Sequence, residues 1–151
     1  DTAFGEDYDV VRKIEREYLQ AGHLSGLVID FGGREIKRKI TDELESTGVI
    51  VASLSEAVER HRDLVEPYLY ELVNSGTGKF EAMNGALWND GVFIYVPDGK
   101  TVEKPLHLLR EGGRAGSTNY LRLLVVVELA AGPVRMGASR SGKSRSKLDS
   151  R

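Results

Sequence analysis

The sequence contains no cysteine. Disulfides, thiolate nucleophiles and metal centres held by thiolates are therefore excluded within these 151 residues. Long apolar runs are lacking too. The longest, Leu123 to Val127, is five residues, against the roughly 18 that a membrane-spanning helix requires. No signal-peptide pattern opens the chain, so secretion is not expected. Aromatic residues make up only 7%, and there are three histidines. What is present is 40% apolar and 29% charged residues, a globular composition in a length that suits one domain with a real core.

The net charge of -2 hides an asymmetry. Residues 129–151 carry six basic residues and one acid, whereas residues 1–128 carry an excess of seven acids. An acidic body joined to a basic, Gly/Ser-rich tail reads as two kinds of chain. Such a body has no basic face for a phosphate backbone, so nucleic-acid binding is not expected.

Periodicity orders the elements. Residues 8–21 predict an amphipathic helix, with Val10, Val11, Ile14, Tyr18 and Leu19 on one stripe, Asp7 as N-cap and Gly22 as stop. Residues 27–31 and 34–40 predict a β-hairpin, because Gly32-Gly33 supplies the positive φ of a two-residue turn. The charged second strand suits an exposed edge. Residues 48–53 predict a short buried strand. Helices are expected from Ser55 to about Arg62 and over residues 63–73, with Pro67 near the first turn of the second. Residues 80–88 predict a helix packed through Met83, Leu87 and Trp88. Residues 91–96 form a strand closed by the turn Pro97-Asp98-Gly99-Lys100, residues 101–109 are extended, and 120–129 are apolar enough for burial on both faces. Helices followed by strands favour an α+β fold over a βαβ repeat.

Several constellations invite a chemical reading. Gly137-Ala138-Ser139-Arg140-Ser141-Gly142-Lys143-Ser144 satisfies the phosphate-loop pattern, the alternative being a small nucleotide-binding protein. The loop also needs a strand leading straight into it and a helix leaving it. The strand ends near Leu129, Pro133 intervenes, and the last seven residues carry no apolar stripe. Gly76-Thr77-Gly78-Lys79 echoes the pattern but is followed by Phe80, and reads as a loop leading into a helix. His23, His61 and His107 share no metal-ligand spacing. Asp42/Glu43 and Glu15/Glu17 lie at helix starts or on solvent faces. Tyr68, Tyr70, Phe80, Trp88, Phe93 and Tyr95 are expected to pack in the core rather than stack on bases. No catalytic, cofactor-binding or metal residue emerges.

A family resemblance enters over residues 48–109. Gly-Val-Ile-Val-Ala-Ser-Leu-Ser-Glu-Ala-Val (48–58) and Leu-Val-Glu-Pro-Tyr-Leu (64–69) resemble the lead-in segment of the SufB/SufD family of iron–sulfur cluster assembly proteins. Residues 79–99 resemble that family's K-F-x-A-x-x-x-A-x-W-x-x-G-x-F-x-Y-V-P-x-G segment, from Lys79-Phe80 through Trp88, Phe93 and Tyr95 to Gly99. Val102, Pro105-Leu106 and residues 120–128 continue the likeness, which spans about residues 8–128 and is SufD-like in its hairpin.

The resemblance implies an N-terminal helical region with the hairpin, then the first coils of a right-handed parallel β-helix. Residues 91–109 would form one coil and 120–128 begin the next, with Val92, Ile94 and Val96 facing the interior. It implies a non-catalytic, cytoplasmic scaffold component of the SUF system, not an enzyme, whose partners are a SufC-type ATPase and a SufB-type subunit. The family's functional residues lie in later coils, so no cofactor is expected in this chain; the iron–sulfur cluster belongs to the full complex. The expected organisation is residues 1–78 as an α+β region, 79–129 as the start of the β-helix, and 130–151 as a disordered tail. From about Leu129 the sequence leaves the family pattern, which suggests a truncated reading frame. The uncapped strand over 120–128 is expected to self-associate through its open edge.

Overall fold

The fold comes from a computed structural model, which describes residues 12, 16–17, 22–32, 34–71, 73–111, 116 and 118–129. All but Arg12, Arg16 and Glu17 of the helix expected over residues 8–21 therefore lie outside the described residues, as do the tail and the loop at 137–144.

Around Gly32, which adopts a φ of 62°, the chain folds back as the glycine pair predicts. Strands β1 (Gly26–Phe31) and β2 (Arg34–Ile40) pair antiparallel, with Phe31 opposite Arg34 and a register shift between Ile29 and Asp30. β5 (Leu106–Glu111) joins the other edge of β1 in parallel, Gly26 opposite Leu106, giving the order β2-β1-β5. The charged strand is thus an edge, as its composition predicts.

A second sheet has the order β3-β4-β6. β3 (Ile50–Ser53) pairs antiparallel with β4 (Asp90–Val96). β6 (Leu121–Val127) lies parallel to β4 in unbroken register, from Asp90 opposite Leu121 to Val96 opposite Val127. Both sheets therefore take strands from either side of residue 79.

Alternation along β4 builds two cores. Val92 and Val96 face the first sheet and pack with Val28, Val51, Leu106, Leu108 and Val127. Phe93, 0% exposed, faces the other way and packs with Ala52, Val126 and the helical residues Leu54, Ala57 and Val65. The result is three layers: sheet, sheet, helices. Arg38, on the first sheet, fastens all three, its Nη1 donating to the Val51 carbonyl (2.9 Å) and its Nη2 to Glu56 Oε2 (2.8 Å).

The helices are short: α1 (Asp42–Ser46), α2 (Leu54–Arg60), α3 (Arg62–Val65) and α4 (Lys79–Leu87). Among the described residues no helix is long and apolar enough to cross a membrane. The Ser53 hydroxyl accepts from the Glu56 N–H (3.1 Å) and caps α2, which starts at Leu54, one residue before the expected Ser55. Ser55 donates through its hydroxyl and N–H to Asp90 Oδ1, both at 3.1 Å.

Four expectations need correction. The helix over 63–73 stops at Val65, and turns follow to Glu71. A helix that starts at Arg62 puts Pro67 in its interior, where the missing N–H and the ring's clash with the preceding turn end it. The helix over 80–88 does form, but no residue in it is buried; Phe80 is 72% exposed, and Met83 and Leu87 are also exposed. Of the three expected packing residues only Trp88, the C-cap of the helix, packs against a core, that of Phe93. β6 is not buried on both faces: only Arg122 and Val126 are buried, and Leu123 is 46% exposed, because this strand is the edge of its sheet. Finally, helices and strands interleave instead of helices coming first, though the mixed α+β class stands.

Candidate functional site

Arg122 lies on β6 within the run Leu-Arg-Leu-Leu-Val-Val-Val, and only 8% of it is exposed. A guanidinium keeps its charge inside a protein, so its partners decide whether that burial is tolerated. Its Nε donates to Asn84 Oδ1 (2.8 Å) and its Nη1 to the Leu69 carbonyl (2.6 Å). The guanidinium carbon stands 4.5 Å from the Tyr70 ring centroid, a cation–π contact. Among the described residues Nη2 is buried with no hydrogen-bond partner.

Each neighbour is held by the fold. Asn84, on α4, donates from Nδ2 to the Leu121 carbonyl (3.3 Å), and Trp88 at the end of α4 donates from Nε1 to the Tyr70 hydroxyl (3.3 Å). Gly85 lets α4 approach, since a Cβ there would collide with the Ser75 hydroxyl and stand 3.7 Å from Arg122 Nη2. Across β4, a Cβ on Gly91 would fall on the Arg122 backbone. An open pocket of about 280 Å³ is lined by Tyr68, Leu69, Val73, Asn84 and residues 121–124.

A second polar group surrounds Arg38. Its hydrogen bond holds the Glu56 carboxyl below the ordinary value, with burial opposing, and Arg60 adds an ion pair to Glu56 at 3.0 Å. Glu35, whose Oε1 lies 3.7 Å from Arg38 Nε, is pushed up by burial against the pull of that cation. Neither network sets a nucleophile beside a base. Both join layers of the fold.

The residues singled out from sequence scatter. His23 is exposed, His61 ends α2 and His107 sits on β5; among the described residues no three or more His, Asp or Glu side chains gather as a metal site. Gly78 caps α4, so Gly76-Thr77-Gly78-Lys79 does lead into a helix. Of the six aromatics expected in the core, only Phe93 is fully buried; Tyr68, Tyr70 and Phe80 are exposed. Sequence reasoning missed Arg122. The available signal was a lone cation in an otherwise apolar strand.

Fold and polar groups together define a layered α+β module whose buried charges brace one layer against another. A family model described as the SufBD protein N-terminal region matches residues 33–108. The chain belongs to the SufBD family. Curated relatives include an iron–sulfur cluster assembly SufBD family protein of Porphyra purpurea, 30% identical over 125 residues, covering 82% of this chain and 26% of the relative. A SufBD family protein of Pyrococcus horikoshii is 31% identical over 98 residues, 65% of this chain and 21% of the relative. The iron–sulfur cluster assembly protein SufB of Bacillus subtilis is 26% identical over 106 residues, 70% of this chain and 23% of its own length. The chain thus spans less than a third of the length of these relatives. No solved structure matches it.

Proposed function

We propose that the chain is the N-terminal module of a non-catalytic scaffold component in iron–sulfur cluster assembly and acts through protein–protein contacts. The observation that carries this reading is the family match over residues 33–108, within which the Lys79-to-Gly99 segment folds as helix, strand and turn. The cluster is cargo of the assembled complex. With no cysteine, these residues offer it no thiolate ligand.

On this reading residues 79–129 begin a right-handed parallel β-helix and residues 1–78 precede it. The parallel ladders β4–β6 and β1–β5 support that, because stacked parallel strands are how a solenoid grows. The partners are a SufC-type ATPase and a SufB-type subunit, met in the cytoplasm, and the edge of β6 is where copies of the chain self-associate.

Sedimentation of the purified chain mixed with the SufC-type and SufB-type proteins of its host tests the reading. A stoichiometric complex with either is expected. Independent sedimentation of all three at micromolar concentration overturns it.

A further inference from the structure

We propose that the exposed face of α4 is a docking surface for a cationic amphipathic helix of another protein. Nothing in it depends on the cluster-assembly reading. No residue of α4 is buried, and apart from Lys79 the side chains it exposes are Phe80, Ala82, Met83, Ala86 and Leu87. Phe80, Met83 and Leu87 recur at spacings of three and four, so they form one stripe along the helix. Of the eight large hydrophobic side chains exposed among the described residues, six lie between Tyr68 and Leu87. A seventh, Leu123, joins them through the open pocket that Tyr68, Val73 and Asn84 also line. Apolar surface gathered in this way marks a place of association.

Charge selects the occupant. Acids stand at both ends of the face. Glu81 Oε2 reaches back to Gly78 at the start of α4, and Glu71 follows Tyr70, whose hydroxyl accepts the Trp88 indole N–H at its end. The last turn of α4 holds no basic residue, so the negative end of the helix dipole adds to Glu71. Lys79 is set over the Phe80 ring, 5.2 Å from its centroid, and Arg122 is buried against Tyr70. An apolar face rimmed by acids repels its own copy and an anionic lipid surface, and attracts an apolar stripe flanked by Lys or Arg. Ala82 and Ala86 are small, so a second helix can lie close along the face. An amphipathic helix laid on an apolar surface is a recurring mode of recognition.

The test titrates the full chain by calorimetry with the helical peptide acetyl-Leu-Lys-Lys-Leu-Leu-Lys-Leu-Leu-Lys-Lys-Leu-Leu-amide and with its match carrying Glu at every Lys. Parallel arms use phosphatidylglycerol vesicles and sedimentation of the chain alone. We expect saturable one-to-one binding of the lysine peptide, about tenfold or more tighter than its glutamate match. Phe80→Ser combined with Leu87→Ser, both at exposed positions, should weaken it about tenfold with the urea midpoint kept. Glu71→Gln should weaken it without altering the apolar stripe. Leu129→Ser, beyond the far end of β6, should leave it unchanged. The proposal is wrong if the two peptides bind alike, if neither saturates below about 1 mM, or if the double variant binds as the wild type does. It is equally wrong if Leu129→Ser weakens binding as much as the double variant. Binding to the vesicles but not to the peptide would make the occupant a membrane. A dimer of the chain alone that the double variant dissolves would make it a second copy. Either result overturns the proposal.

Discussion

Gly91 and Arg122 stand directly opposite each other in the parallel ladder of β4 and β6, so close that no side chain fits at position 91. The obstacle is main chain, which cannot rotate away. Gly91→Ala should therefore destabilise the protein by about 2–3 kcal/mol, read as a lower urea midpoint. An unchanged midpoint would mean the two strands do not approach in this register.

Two phenylalanines of the same motif should behave in opposite ways. Phe93 is fully buried between the second sheet and the helices, so Phe93→Ala should cost about 3–5 kcal/mol. Phe80 is mostly in water, and Phe80→Ala should stay within about 0.5 kcal/mol. Equal losses would show that α4 packs through Phe80 after all.

Arg38 should be worth more than its ion pair. Arg38→Met leaves the buried Val51 carbonyl without its charged donor and should cost about 2 kcal/mol. Glu56→Gln removes only a partly exposed pair and should cost no more than about 1 kcal/mol. A double-mutant cycle on the two positions separates these contributions.

The two carboxyls near Arg38 set the acid side of the stability curve. Glu56, held below the ordinary 4.5 by Arg38, contributes stability above that pH, and the contribution is lost as the pH falls through its lowered value. Glu35, raised by burial, takes up a proton above pH 4.5 in the folded state before the unfolded chain does, so stability rises as the pH approaches 4.5 from neutrality. Urea midpoints should pass through a maximum on the acid side of neutral. Glu35→Gln should flatten the rise, and Glu56→Gln should blunt the fall below 4.5.

Self-association through β6 should respond to charge at its exposed positions. Val127 packs in the core between the sheets, so lysine there would damage folding. Leu123 is nearly half exposed, and Val125 lies on the same strand. The pair Leu123→Lys and Val125→Lys should shift sedimentation toward monomer. If wild type and variant sediment alike as monomers at high micromolar concentration, the edge does not pair.

Local signals were legible in the residues where local chemistry decides the outcome. Gly32-Gly33 specified the hairpin, and the alternation of Val92, Phe93 and Val96 specified β4 and its two faces. The hydrogen bonds between Ser55 and Asp90 were not legible, because the two residues are distant in sequence. The Arg122 network was illegible for the same reason. Leu69, Asn84 and Arg122 meet only once a turn, a helix and an edge strand are assembled, and no spacing in the chain announces that meeting. The stripe of Phe80, Met83 and Leu87 has helical periodicity, but periodicity specifies a face and not what covers it.

The parallel pairing of β1 with β5 governs when the fold can be completed. β2 follows β1 after a tight turn and fills one edge at once, whereas Leu106, opposite Gly26, is synthesised far later. At a translation rate of roughly 5–20 residues per second, the other edge of β1 waits for seconds. Throughout that interval the nascent hairpin presents Val28 without its partners from β4 and β5. Most of the chain must therefore leave the ribosome before either sheet can close, and the emerging polypeptide is open to chaperone capture until then.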